Sequence, residues 1–406
     1  MEEWKEYKLG ELYDVHNGLS KGGKFFGSGY PFLSFSTVFK NYFLPQELTN
    51  LVQSSEKEQS NFSINEGDVF ITRTSESADE LGMSSVALKD YPNATYNGFT
   101  KRLRPKGVVE IYPKYIGYYL RSPRFRNNFY GITSSMSTRA SLSNGDLLNM
   151  KVILPLYATQ QKIANILSSL DDKIEVNRRI NEQLEELAGA LFKSWFVDFE
   201  PFKDGEFVDS ELGMIPKGWK MGTLGDIAGV VMGSSPAGSS YNTEGNGSIF
   251  YQGRTDFGFR FPCVRMYTTE PKRFAESNSV LLSVRAPVGD VNIAFEKCCI
   301  GRGLASIKSN CNADSYTYYL MKSLKPILDN YNNEGTVFGC INKDALNNLS
   351  IVVPTIDIIK EFEQIVSSFD VEIRRRSEEI HHLTTLRDTL LPKLMSGEID
   401  VNEVKI

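Results

Sequence analysis

Residues 151–155 read Lys-Val-Ile-Leu-Pro, and 199 positions later residues 350–354 read Ser-Ile-Val-Val-Pro. The residues after each proline keep the same register: Ile166 answers to Ile365, Asp171 to Asp370, Ile174 to Ile373, Leu184 to Leu383, Leu187 to Leu386 and Leu191 to Leu390. From Thr159 to Phe196 there is no proline and a single glycine, Gly189, so nothing interrupts a helix. Steps of three and four place Ile163, Ile166, Leu170, Ile180, Leu184, Leu187 and Leu191 on one stripe, and Phe362, Ile365, Phe369, Leu383, Leu386 and Leu390 on its counterpart. Both stripes turn polar in the middle, at Lys173 and Asn177 in the first and at Glu372, Arg376 and Glu379 in the second. Such positions in a coiled-coil seam cost stability and fix register and partner choice. An apolar stripe of this length needs a partner, and the nearest is the other helix.

The segments ahead of the helices repeat as well. Trp4, Leu9 and Gly10 are matched by Trp219, Leu224 and Gly225. In the first copy, residues 67–73, 85–88 and 95–103 predict strands, and Pro113 opens a helix over 114–129. In the second, residues 279–285, 291–295 and 303–308 predict strands and residues 315–328 a helix, with Tyr318-Tyr319-Leu320 echoing Tyr118-Tyr119-Leu120. The expected fold class is α+β: two similar globular α+β domains separated by two long helices packed as an antiparallel coiled coil, a pseudo-two-fold internal repeat. Parallel and antiparallel pairing both satisfy the connections. Antiparallel pairing is favoured because two like heads related by a two-fold would meet a duplex as its own half-sites are related. The boundaries expected are residues 1–157 for the first domain, 158–197 for the central helix and 198–218 for a turn-rich linker. Residues 219–355 then form the second domain, 356–395 the C-terminal helix and 396–406 a tail. Trp195, Phe196, Phe199 and Phe202 cluster where the linker starts, either as a small satellite core or as a docking surface.

Composition narrows the class. No apolar run approaches the ~20 residues of a membrane span. The polar opening Met-Glu-Glu-Trp-Lys does not read as a secretion signal, so a cytoplasmic location is expected. Five cysteines, all in the second half and without a C-x-x-C pair, read as free thiols, and three histidines offer no metal-ligand spacing. The net charge of −5 is unevenly spread: residues 1–150 carry +1 and 213–350 carry +3, whereas 151–212 carry −5 and 351–406 carry −4. The acid lies in the helical parts and the base in the globular parts. Residues 97–139 hold nine basic side chains and one acid, Glu110. A local excess of that kind is a candidate electrostatic footprint for nucleic acid.

Candidate DNA contacts in the first domain are Lys21, Lys24, Arg73, Lys101, Arg102, Arg104, Arg121, Arg124, Arg126 and Arg139. In the second they are Gln252, Arg254, Arg260, Arg265, Arg285 and Arg302. Lysine and arginine neutralise phosphates and release counterions. Arginine also grips guanine, and glutamine adenine, at the major-groove edge. Gln252, Arg254 and Arg285 fall near turns or strand ends, from which a side chain can reach a base. Catalytic signatures are missing. There is no phosphate-binding G-x-x-x-x-G-K-[ST], no G-x-S-x-G, no H-E-x-x-H and no Asn-Pro-Pro-aromatic tetrapeptide of an amino-methyltransferase. A recognition or scaffold subunit is therefore expected rather than an enzyme; the alternative to DNA reading is a non-catalytic protein-binding scaffold.

Three stretches together resemble the specificity subunit of Type I restriction–modification systems over nearly the whole chain. They are residues 152–174 with 193–202; residues 251–257, 282–289 and 300–305; and residues 390–398. The second helix departs from the pattern with Lys360-Glu361-Phe362 where the first has Gln161-Lys162-Ile163. The resemblance implies that each globular half is a target recognition domain reading one part of a split, asymmetric duplex site, and that the helices set the spacer. It implies no cofactor on this chain. S-adenosylmethionine is expected on partner methyltransferase subunits, two of them, which modify adenine, and a restriction subunit joins where cleavage occurs. The family carries no fixed set of base-contacting residues, so none is transferred.

Overall fold

The computed structural model describes residues 4–75, 80–133, 140–332 and 339–404. The chain divides into two compact units, and neither is contiguous in sequence: one is Met1–Asn177 with Glu379–Ile406, the other Arg178–Glu378. Both divisions fall inside the long helices, which run Tyr157–Phe196 and Ile356–Ser396. Each helix thus gives one half to each unit.

In the first unit the strand Lys5–Lys8 lies antiparallel to Lys151–Leu154, so the domain is closed by its own ends just before the central helix begins. Four antiparallel strands follow in the order Tyr13–Asn17, Thr100–Pro105, Val69–Thr72, Ser84–Val86. Every residue of Val69–Thr72 is buried, because the sheet is covered on both faces. Val69 and Ile71 join the main core with Leu9, Leu103, Tyr115 and Tyr119, while Phe70 joins Leu33 and Tyr96 in a second cluster, as strand alternation requires. A smaller sheet orders Leu51–Val52, Phe26–Leu33 and Thr95–Tyr96, the last two strands being parallel.

The second unit repeats this plan. Lys220–Thr223 pairs with Ser350–Val353. The four-stranded sheet runs Ala228–Met232, Leu304–Ser309, Val280–Ser283, Val291–Ile293. A parallel pair, Ser248–Tyr251 with Cys298–Ile300, stands where the first unit has its own. The helix expected over 114–129 is broken. Pro113–Arg121 ends at Ser122, and a new helix starts at Pro123. Proline has no N–H to continue the ladder and drives the residue before it out of the helical region; Ser122 has φ −67° and ψ 151°. The second copy also divides, into Asp314–Ser323 and Lys325–Asp329, but at Leu324, which keeps a helical φ of −80° and ψ of −2°, with Pro326 in the first turn of the new helix. Of the aromatic group at the linker, Trp195 and Phe196 pack against the second unit's main core, and Trp219 meets the rings of Phe196, Phe199 and Phe202 at 5.1–5.9 Å.

The helices pair antiparallel within each unit. In the first, Asp171 meets Arg387 and Lys173 meets Glu379, and Lys162 reaches Asn402 just past the end of the C-terminal helix. In the second, Asn181 bonds Ser377 and Phe192 packs edge-on against Phe362. The buried stripe of the central helix is Ile163, Leu167, Leu170, Ile174, Asn177, Asn181, Glu185, Ala188 and Phe192. This corrects the expected seam. Ile163, Leu170 and Phe362 lie on it, but Leu187 is 55% exposed, Leu386 43% and Ile365 39%. Ile166, Ile180, Leu184, Leu191, Phe369, Leu383 and Leu390 are half-buried at its margin. The stripe sits one residue further on because the polar side chains of Asn181 and Glu185 face inward. Among the described residues no helix is long and apolar enough to cross a membrane.

Candidate nucleic-acid interface

In the second unit three loops meet at the strand ends. Ser248–Tyr251 delivers Gln252, Val280–Ser283 delivers Arg285, and Cys298–Ile300 delivers Gly301-Arg302-Gly303. Their backbones are tied together: Gly301 N–H donates to Tyr251 O at 2.8 Å, Val284 N–H to Gly303 O at 2.9 Å and Ser234 N–H to Ile300 O at 2.9 Å. The approach is close. A Cβ on Gly233 would stand 2.1 Å from Gly301 O, and one on Gly303 2.8 Å from Gln252 O, so only glycine fits at either position. Gln252, Arg285 and Arg302 are exposed. Among the described residues their side chains have neither an ion pair nor a hydrogen bond.

The first unit builds the same frame with other chemistry. Leu19 N–H donates to Tyr96 O, Asn97 N–H to Leu33 O and Arg73 N–H to Phe99 O, at 2.8–3.0 Å. A Cβ on Gly18 would lie 2.1 Å from Asn97 O, the counterpart of the Gly233 contact. Position by position, Ser34, Thr74 and Gly98 stand where the second unit has Gln252, Arg285 and Arg302. Arg73 and Phe99, the latter 58% exposed, flank them. The Arg73 Nε has no partner among the described residues. Lys101 bonds Asn144, and its ammonium is held below its ordinary value by burial and by the nearby Arg73. Lys24 is exposed over the Phe25 ring, and Lys21 is held by Glu58 at 2.8 Å.

Much of the basic excess is committed to the interior, which corrects the sequence expectation. Arg102 is 8% exposed and donates to Ser63 O. Arg104 pairs with Asp68 at 2.6 Å. Arg121 donates to the carbonyls of Val38, Phe39, Asn41 and Ser84, and burial brings its guanidinium down to about 10. Arg124 and Arg126 reach the carbonyls of Met395 and Leu81. Arg139 lies outside the described residues. Arg254 and Arg265, both half-exposed, are bound by Asp290 and Asp256.

Arg260 is the clearest correction. It is 2% exposed and bridges Glu185 of the central helix and Asp370 of the C-terminal helix, with its guanidinium 3.9 Å from the Tyr318 ring centre. Tyr318, Tyr319 and Lys322 also converge on Glu185, at 3.1, 3.2 and 2.5 Å. Burial alone would raise the Glu185 carboxyl, but Arg260 and Lys322 outweigh it and hold it below its ordinary value. Arg260 therefore does not reach a ligand. A basic residue buried by carboxylates far away in sequence leaves no local signal.

The family described as Type I restriction modification DNA specificity domain matches residues 1–186 and 216–382. A Methanocaldococcus jannaschii chain assigned to the MjaX type I restriction enzyme as its specificity subunit is 31% identical over 98% of this chain and 94% of its own length. The HindI specificity subunit of Haemophilus influenzae is 25% identical over 98% of this chain and 100% of its own. The solved S subunit of a Type I restriction–modification system from M. genitalium shares the fold, with a TM-score of 0.63 at 15% identity over 97% of this chain and 96% of that one.

Proposed function

Because this chain belongs to the family of Type I restriction–modification DNA specificity subunits, we propose that it reads a bipartite, asymmetric duplex site, one part per globular domain, and presents that duplex to separate catalytic subunits. It is the recognition subunit and not the enzyme. The finer assignments are two adenine methyltransferase subunits carrying S-adenosylmethionine, a restriction subunit where cleavage occurs, and a cytoplasmic setting. The protein-binding scaffold is the weaker alternative, since the relatives are DNA specificity subunits.

One observation carries the asymmetry. The two domains hold the same loop frame but fill equivalent positions with Ser34, Thr74 and Gly98 in one and Gln252, Arg285 and Arg302 in the other. A shared frame with different donors and acceptors suits two different half-sites. Arginine and glutamine at the second frame fit major-groove guanine and adenine edges.

The test uses the chain assembled with its methyltransferase. Arg285→Ala and Arg302→Ala should relax selectivity at one half-site only, each by about 1–3 kcal/mol if the side chain pairs with a base. A phosphate contact would instead lower the salt slope by about 1 and weaken all duplexes alike. Affinity of the assembled wild type that is equal for every duplex at every salt concentration would refute the proposal.

A further inference from the structure

The loop that carries Gln252 is the same loop that carries Arg260. Asp256, 6% exposed, accepts the N–H groups of Gln252 and Gly253 on one oxygen and binds Arg265 on the other. The turn Arg254–Asp256 leads into Phe257–Arg260, where Gly258 O accepts from Asn292 Nδ2 at 3.1 Å and Arg260 O from Ile293 N–H at 2.9 Å. At its far end the Arg260 guanidinium is shared between carboxylates of both long helices. Seven residues thus join an exposed amide at the reading edge to a buried cation between the helices, and hydrogen bonds at Asp256, Gly258 and Arg260 hold the path.

We propose that Arg260 is a specificity-positioning residue: it never touches DNA, but it sets the placement of the Gln252 loop by fastening that loop to the helix pair. This rests on the DNA-reading function proposed above. A planar guanidinium can bind two carboxylates at once through separate nitrogens, whereas a lysine ammonium is a compact point charge without that fork. Loss of the bridge leaves the frame glycines and the first domain's frame untouched. Its effect is therefore confined to one half-site.

The experiment measures methylation rates of the assembled complex on the full duplex site and on duplexes altered in one half-site at a time. Arg260→Gln should lower discrimination at the half-site read by the second domain tenfold or more. Discrimination at the other half-site, and the salt dependence of binding to unrelated duplex, should stay at wild-type values. Arg260→Lys should restore part of the loss. Should Arg260→Gln fail to fold, Asp370→Asn keeps the cation paired with Glu185 and should show a smaller loss at the same half-site. Unchanged discrimination in Asp370→Asn and in a folded Arg260→Gln would overturn the proposal, as would equal loss at both half-sites, the mark of general destabilisation. Absence of any sequence discrimination by the wild-type complex would instead defeat the DNA-reading function itself, and is seen before any variant is made.

Discussion

The two units fasten their globular parts to the same pair of helices in different ways. In the first, Tyr118 donates to Asp171 at 2.6 Å, and Asp171 takes its cation, Arg387, from the facing helix. In the second, the counterpart of Asp171 is Asp370, but the residue equivalent to Arg387 is Ala188. The cation comes instead from the domain, as Arg260, and a further carboxylate, Glu185, is drawn in. The echoing tyrosine, Tyr318, reaches Glu185 rather than the aspartate. The repeat keeps a carboxylate–cation–tyrosine contact at the junction but not the positions that supply it. In the first unit the ion pair ties helix to helix; in the second it ties both helices to the reading loop.

The largest expected effect comes from burial. Arg260→Ala leaves Glu185 and Asp370 facing each other without their shared cation, and breaking a buried pair costs about 3–5 kcal/mol. Hydrogen exchange should show the loss in residues 178–378 while the first unit keeps its protection. Equal loss in both would erase the contrast between them. The seam comes next. Leu167→Ala removes a fully buried side chain, at a cost of about 2–5 kcal/mol. Leu187→Ala, at an exposed position of the expected stripe, should change stability by no more than about 0.5 kcal/mol. The reverse order in chemical denaturation would return the seam to the register that apolar periodicity favours.

That register shows what the sequence can carry. The repeat, the helices and their antiparallel pairing are consistent with matched apolar spacing, and tertiary structure agrees with the spacing. The stripe itself is displaced because an apolar criterion favours Ile180, Leu184 and Leu187 over Asn181, Glu185 and Ala188. Two of the latter are polar and face inward because Ser377 and Arg260 receive them. Those partners lie 196 and 75 residues away, beyond any local window. The same limit applies to charge. Arg102, Arg104 and Arg121 read as a surface patch, yet Ser63, Asp68 and four backbone carbonyls from other parts of the chain enclose them. Gln252 and Arg285, at strand ends, keep exposed side chains with no ion pair or hydrogen bond among the described residues, so they stay candidates for the proposed interface.

The five cysteines all belong to the second unit and give it a private probe. Cys298 and Cys299 are buried in its parallel strand pair, and burial pushes the Cys298 thiol up to about 12, far from the reactive thiolate. Cys263 and Cys340 are exposed. A thiol reagent at neutral pH should modify Cys263 and Cys340 promptly and reach Cys298 and Cys299 only when the second unit opens. In Arg260→Ala that opening should be faster, and in Arg387→Ala unchanged. Faster labelling in both would mean that the two junctions act as one.

The smallest effect tests the first unit's junction. Arg387 and Asp171 are 19% and 26% exposed at their side chains, so water screens them more than the nearly sealed Arg260. A double-mutant cycle with Arg387→Ala and Asp171→Asn should give a coupling of about 1 kcal/mol or less, and it should weaken with added salt. The corresponding cycle with Arg260→Ala and Asp370→Asn should exceed it and depend less on salt, because Arg260 is nearly sealed although Asp370 is 23% exposed. If both cycles gave the same energy and the same salt dependence, the source of the cation would be irrelevant. The second domain would then be held no more firmly than the first, and Arg260 would have no special hold on the reading loop.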